Sequence, residues 1–416
     1  MDRTISPSDR DVLRRLAVRV AEIAAMPVME TRRKAWAEHN SLRSTRPMML
    51  IFPEGSWAEI LPEATLACRG GLARAIENNL RMRIYTYVHF QDDSVIEAEW
   101  HEAPVLSSTG WGVETQRHDA PEARGAWAFE PVIRSEADLQ KLHYPDLIYD
   151  ERATRLHAEG MQDLFGDLLR VHPPRVRHIS YHLMSQYSDW VGLEEMMTSF
   201  IERPDFAHRV LSFLAEGHRR GLAQLVEANL LGLNNNNTYH SSGGNGYTSE
   251  LPAPGFDPER VRPCDLWASA ESQELAQVSP RMHAEFALRY EMPLLEPFGL
   301  CGYGCCEDLG RKLDLVLQIP HIRRISISPF ADIERCAPQL GGRAILSWKP
   351  HPSHLVGDFN PSAVRGYIRR ALDLSQAHAC VLEMILKDTH TCEFHPERFD
   401  IWTQVAREEI RAAGWE

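Results

Sequence analysis

Apolar positions along the chain follow two rhythms. In one, apolar residues recur three and four apart, as on one face of a helix; in the other they form short compact runs. The helical rhythm covers Asp9 to Ala25, with Val12, Leu16, Val20 and Ile23 on a stripe that fits a surface helix or an oligomer contact. It returns over Ala58 to Leu80, Glu151 to Phe165, Leu193 to Phe200 and Asp205 to Glu227. The compact runs are MMLIF (Met48 to Phe52), RIYTYVHF (Arg83 to Phe90), HISYHL, ANLLGLN, MPLLEP, RRISIS, AILSW and VLEMIL (Val381 to Leu386). RIYTYVHF is rich in β-prone residues but also fits a helix. Strands alternating with helices predict a parallel α/β sheet, and eight of them predict a (β/α)8 TIM barrel, with a doubly wound open sheet as the alternative.

Two departures from this alternation divide the chain. Residues 1–46 read as a helical N-terminal extension, and residues 47–416 as the barrel. Within the barrel, Asp92 to Ile133 carries VIEAEW and AWAFEPVI on either side of a long polar stretch, which predicts an inserted β segment. No G-x-G-x-x-G follows the first strand, so no nucleotide cofactor is expected.

Composition narrows the function classes. A formal charge of −13 argues against nucleic acid or an anionic membrane as the main partner. No apolar run approaches the ~20 residues that span a bilayer, and the start of the chain lacks the apolar core of a signal peptide. The eight cysteines then read as reduced thiols in a cytoplasmic protein. A homodimer is left open.

In folds of this kind chemistry sits on turns at the carboxyl ends of strands. The turn expected after MPLLEP holds Tyr303, Cys305, Cys306 and Glu307. Thiolates are good zinc ligands and catalytic zinc sites use three protein ligands, so Cys305, Cys306 and Glu307 are the candidate metal set. After ANLLGLN come Asn235, Tyr239 and His240, ahead of a glycine pair that lets backbone approach a ligand. Glu271 and Gln273 follow CDLW, Trp348 and Lys349 close AILSW, and Asp388 follows VLEMIL. His240, Tyr303 and Asp388 are the candidate catalytic residues. Asn235, Tyr239, Glu271, Gln273, Trp348 and Lys349 are expected on the substrate side. The β insert and the loop from Asn234 to Tyr247 are expected to roof the cleft.

Taken together, NNNNTYHSSGGNGYT, DLWASAESQEL, EPFGLCGYGCCE, RRISISPFADIE, ILSWKPHPS and ILKDTHT resemble the uroporphyrinogen decarboxylase-like superfamily, from about Trp190 onward. That superfamily also contains zinc-dependent methyltransferases serving corrinoid proteins and thiols. The resemblance implies a (β/α)8 barrel with its site in the carboxyl-end cleft. PEGSW follows the first strand where true uroporphyrinogen decarboxylases carry Arg-Gln-Ala-Gly-Arg, so porphyrinogen decarboxylation is not expected. The methyltransferases place His-x-Cys after a strand and a further Cys near the last one. Here Tyr303 stands for that His and Cys305 for that Cys, with Cys392 or Asp388 as the later ligand.

Three functions follow. The first is metal-dependent transfer of a methyl or other one-carbon group, to or from a small molecule or a separate corrinoid protein. The second is a metal-free decarboxylase or lyase in which Asp388 and His240 stabilise a carbanion or donate a proton. The third is a small-molecule binder that kept the cleft without the chemistry.

Overall fold

The computed structural model describes residues 5–43, 46–119, 127–240 and 243–415. Its strands, in chain order, are β1 (Met48–Ile51), β2 (Glu99–Trp100), β3 (Leu106–Ser108), β4 (Gln116–Asp119), β5 (Trp127–Glu130), β6 (Leu147–Tyr149), β7 (Arg170–Val171), β8 (Ser180–Tyr181), β9 (Trp267–Ala270), β10 (Leu300–Tyr303), β11 (Ile322–Ile327), β12 (Ile345–Trp348) and β13 (Val381–Leu386). Seven of them form one parallel sheet in the order β1-β13-β12-β11-β10-β9-β8. Helices connect successive strands, as parallel pairing requires. The architecture is α/β and consistent with a (β/α)8 barrel, but no closed ring of strands is formed among the described residues.

Three of the expected strands need correcting. RIYTYVHF continues the helix Gly71–Tyr85 and ends in a wider π turn, Thr86–Phe90. MPLLEP closes the helix Arg289–Leu295, and the strand is the following LCGY, β10. ANLLGLN makes only an isolated parallel bridge, Leu231 to Val176. Conversely, β9 was not among the apolar runs, because Ser269 interrupts it. The first helix, Pro7–Ala24, is present, capped by the Ser6 side chain on Asp9 N at 3.1 Å. Its buried stripe is Leu13, Ala17, Val20 and Ile23, and it packs on the helix Gly71–Tyr85. The insert includes an antiparallel hairpin of β4 and β5, and its residues 120–126 lie outside the described ones.

Alternation along the strands sorts side chains to two faces. Met49 and Ile51, Ala268 and Ala270, Cys301 and Tyr303, Ile325 and Ile327, Leu346 and Trp348, and Leu382 and Met384 share the hydrophobic layer between sheet and helices. The opposite face carries polar groups: Ser269, Arg324, Ser326, Ser347 and Glu383, all buried. These are covered by the helix Pro27–Asn40 and by the loop around Gly243. The Arg324 guanidinium donates to Glu383 at 2.9 and 3.2 Å, to Asn40 Oδ1 at 2.7 Å and to the Asn245 carbonyl at 3.1 Å. Gly244 N donates to Glu383 at 3.0 Å. A Cβ on Gly243 would sit 2.4 Å from Arg324 Cδ, so only glycine lets the loop come this close. The loop expected to roof the cleft therefore packs inside the sheet and forms its floor; its residues 241–242 are outside the described ones.

The free edge of β1 is closed by side chains in place of a strand. Asp93 Oδ2 accepts Met49 N and Asp92 Oδ2 accepts Ile51 N, each at 2.9 Å, while Asp93 N returns a bond to Met49 O at 3.0 Å. Burial pushes the Asp92 carboxyl up to about 6. Asp93 is held below the usual range despite its burial, because Arg46 grips it at 2.7 and 2.8 Å.

Candidate active site

The turns after β1 and β13 interlock. Thr389 O accepts both Ser56 N at 3.0 Å and Ser56 Oγ at 2.6 Å, and Thr389 Oγ1 donates to Pro53 O at 2.7 Å. Glu54 and Asp388 both take left-handed backbone, φ 49° and 58°. That arrangement sets Lys387 Nζ 3.4 Å from Asp388 and 3.8 Å from Glu54. Burial pulls the Lys387 ammonium down, but Tyr239, Cys305, Asp388 and Glu54 outweigh it and hold the group above its ordinary value. Lys387 is a fixed positive charge at the strand ends.

Beside it, Lys349 lies one residue past β12 and is 1% exposed. Its Nζ donates to Ser347 Oγ at 2.8 Å and to Ser347 O at 3.1 Å. Burial drives its pKa down to about 7. Across the rim, His182 Nδ1 lies 2.5 Å from Glu271 Oε1, and this bond raises the imidazole above its usual value. Glu274, in the next turn, has a buried carboxylate oxygen without a hydrogen-bond partner, and burial pushes its pKa up to about 7.

Between these groups lies the β10 turn. Gly304, at φ 92°, bends the chain so that Cys305 and Cys306 follow with sulfurs 3.6 Å apart. The bond to Cys305, and then burial, keep Cys306 protonated. Glu307 is not turned to the thiols in the way the metal expectation requires. Its oxygens accept Cys305 N at 2.8 Å and Ser272 N at 3.3 Å, so it staples the β10 turn to the β9 turn. Cys305, just past the end of β10, lies near enough to His182, Lys349 and Lys387 for its charge state to bear on all three.

The expected site residues divide accordingly. Glu271, Cys305, Cys306, Lys349 and Asp388 meet at the carboxyl ends of β9, β10, β12 and β13, and Tyr239 reaches the same corner, its ring 5.0 Å from that of Phe52. Gln273 is exposed beside them and binds Glu271 Oε2 through its backbone N at 3.2 Å. Tyr303 and Trp348 face the helix layer, since alternation sends them there. The Tyr303 hydroxyl lies behind the sheet wall, donating to Glu291 at 2.7 Å, with His283 at 2.9 Å. His240 is buried against Trp267 at the amino end of β9, its Nε2 2.9 Å from Asn234 O; burial drives it down to about 3. Asn235 binds Leu251 O at 2.8 Å, away from the rim. Cys392 is occupied by Glu59 at 3.2 Å. His182, Glu274, Glu54 and Lys387 were not among the expected site residues. Each nonetheless ends, or soon follows, a strand, which is the signal that marks them.

No family model matches the sequence, and no curated protein is similar to it. Similarity appears at the level of structure. A solved "methyltransferase from Methanosarcina mazei" aligns with a TM-score of 0.51 over 91% of this chain and 98% of that one, at 10% identity. At that identity the likeness is one of fold, and the resemblance to the uroporphyrinogen decarboxylase-like superfamily rests on the motifs. No helix among the described residues is long and apolar enough to cross a membrane.

Proposed function

We propose that this protein is an enzyme that moves a methyl or other one-carbon group to or from a small molecule at the strand-end cluster around Cys305. The observation that carries the reading is the convergence there of two thiols, a fixed cation, Lys387, and three proton-transfer groups, His182, Glu274 and Lys349. The fold shared with a methyltransferase supports it. In such a transfer the bond from carbon to its leaving atom breaks while one to the acceptor forms. His182, protonated against Glu271, delivers a proton to the leaving atom, and Lys349 or Glu274 takes one from the acceptor. Lys387 holds an anionic part of the substrate.

Zinc fits this site in part. Two sulfurs on one tetrahedral zinc would stand roughly 3.8 Å apart given Zn–S bonds of about 2.3 Å, close to the 3.6 Å seen. Among the described residues no third His, Cys, Asp or Glu ligand atom lies within 4.8 Å of both. Cys305 and Cys306 would supply two ligands, with the rest from substrate or solvent, and no step above depends on the metal. A separate corrinoid protein is the partner if the acceptor is not a small molecule.

Lys349 and Glu274 at about 7 favour one alternative, a decarboxylase or lyase working by acid–base catalysis in the same cleft. The test offers methylcobalamin, methyl thioethers and methylamines as donors, a small thiol as acceptor, and a panel of carboxylic acids. Methyl transfer abolished by Cys305→Ser supports the proposal. Carbon dioxide release that survives Cys305→Ser but not His182→Asn replaces it with the alternative.

A further inference from the structure

Away from the strand ends, β2 and β7 pair in parallel, Glu99 opposite Arg170 and Trp100 opposite Val171. Backbone bonds extend the pairing on both sides: Arg170 N to Ala98 O at 2.8 Å and His172 N to Trp100 O at 2.9 Å. Alternation puts Glu99 and His101 on one face of this ribbon, while Trp100 turns to the other and packs on Phe165, ring centroids 5.1 Å apart. The pairing carries His172 to the same face as His101. Their imidazoles stack at 4.2 Å and 17°.

Both Nε2 atoms lie close to one carboxylate oxygen. His101 Nε2 stands 3.0 Å from Glu99 Oε2 and hydrogen-bonds to it. His172 Nε2 stands 3.1 Å from the same oxygen, yet makes no hydrogen bond there or elsewhere among the described residues, although the atom is buried. A buried nitrogen without a hydrogen bond is costly in a purely structural cluster. A cation held by the three groups would satisfy it. Neighbouring ligands on a metal with bonds of about 2.1 Å lie about 3.0 Å apart in an octahedral and about 3.4 Å in a tetrahedral site. Among the described residues this is the one set of three such ligand atoms that all lie within 4.8 Å of one another.

We propose that Glu99, His101 and His172 bind one divalent transition-metal ion, of the zinc class, with a coordination position open to an external ligand. Two imidazoles and a carboxylate suit such ions, and three protein ligands leave room for a fourth. The three side chains are about a quarter exposed, 25%, 24% and 23%, so the site is reachable. His172 also lines a cavity of about 700 Å3 walled by Thr154, Arg155, Gln162 and Arg175, the space from which the external ligand would enter. None of these residues belongs to the strand-end cluster, so the site stands or falls independently of the proposed transfer reaction.

The experiment strips the full chain with a chelator, then titrates it with Co2+ as a spectroscopic probe and with Zn2+ by calorimetry. The wild type is expected to take up one equivalent whose cobalt spectrum lacks sulfur-to-metal charge transfer, and to melt at a higher temperature with zinc present. His172→Asn and His101→Gln should each weaken that equivalent at least 100-fold and remove its effect on melting. Cys305→Ser with Cys306→Ser should leave it intact. The proposal is overturned if the wild type binds no such equivalent, or if His172→Asn and His101→Gln bind it as tightly. It is equally overturned if the metal is lost with the cysteines instead. Should one histidine variant fail to fold, the other and the charge-transfer signature still decide.

Discussion

Replacing Lys349 by Met should make the protein more stable while lowering its activity. The lysine is buried beside β12 with Ser347 as its hydrogen-bond partner among the described residues, and burial lowers it to about 7 from an ordinary value of 10.5. At roughly 1.4 kcal/mol per pH unit, that difference corresponds to about 5 kcal/mol against the fold. Methionine has a similar length and no charge to desolvate, but leaves the Ser347 hydroxyl and carbonyl without their donor, which takes back about 1–2 kcal/mol. The attraction to Glu383 is already contained in the pKa difference, since it is one of the influences that set the lowered value. A net gain of about 3–4 kcal/mol at pH 7 is expected. The sign of the pH dependence follows from the lowered pKa. Below about 7 both folded and unfolded chains carry the proton, and the penalty is complete. Between about 7 and 10 the unfolded chain alone holds it, so the penalty shrinks as pH rises. Urea midpoints of wild type and Lys349→Met, measured from pH 6.5 to 9.5, should lie furthest apart at the acid end and converge toward the alkaline end. A variant less stable than wild type at pH 7, or a gap that does not change with pH, refutes the reasoning.

Glu383→Gln leaves the Arg324 guanidinium buried without its carboxylate and should cost about 3–5 kcal/mol, whereas Arg324→Met combined with Glu383→Met should recover much of it. Denaturation of the three variants checks this, and a double variant as unstable as Glu383→Gln counts against it. Tyr303→Phe removes the donor to the buried Glu291 carboxyl and should cost about 1–3 kcal/mol of stability while changing kcat less than about threefold. A hundredfold fall in kcat would restore Tyr303 as a catalytic residue. His182→Asn should lower kcat by about 10²–10⁴ and abolish the alkaline limb of the wild-type profile, where activity falls as pH rises through the raised imidazole pKa. An unchanged profile would exclude His182 as the acid.

Much of the sheet can be read from the chain because β1, β8, β11, β12 and β13 are compact apolar runs. The misreadings have definite physical causes. RIYTYVHF carries β-prone side chains, but the helix Gly71–Tyr85 runs straight into it, and an established helix propagates at little cost. In β9 the polar Ser269 belongs to the inward face, and so breaks the apolar run by which a strand is recognised. The placement of Glu271, Cys305, Lys349 and Asp388 together in the candidate cluster was legible, because position relative to a strand end was enough. Placement was not legible where direction mattered. Tyr303 is the last residue of β10 and Trp348 the last of β12, and placing MPLLEP as the strand hides the alternation that sends Tyr303 outward. His240 failed for another reason: its loop turns into the sheet, drawn by Glu383 and Arg324, which lie 143 and 84 positions along.

The pairing of β1 with β13 has a consequence for biosynthesis. Met48 lies opposite Glu383, so the first strand to leave the ribosome waits for the last. At about 5–20 residues per second, those 335 intervening positions take roughly 20–70 s to translate. Throughout that interval one edge of β1 is already answered locally by Asp92 and Asp93, made within moments of it, but the other edge has no partner. Until β13 is made, the short apolar strand Met48–Ile51 keeps an unpaired edge of the kind that invites pairing with another chain.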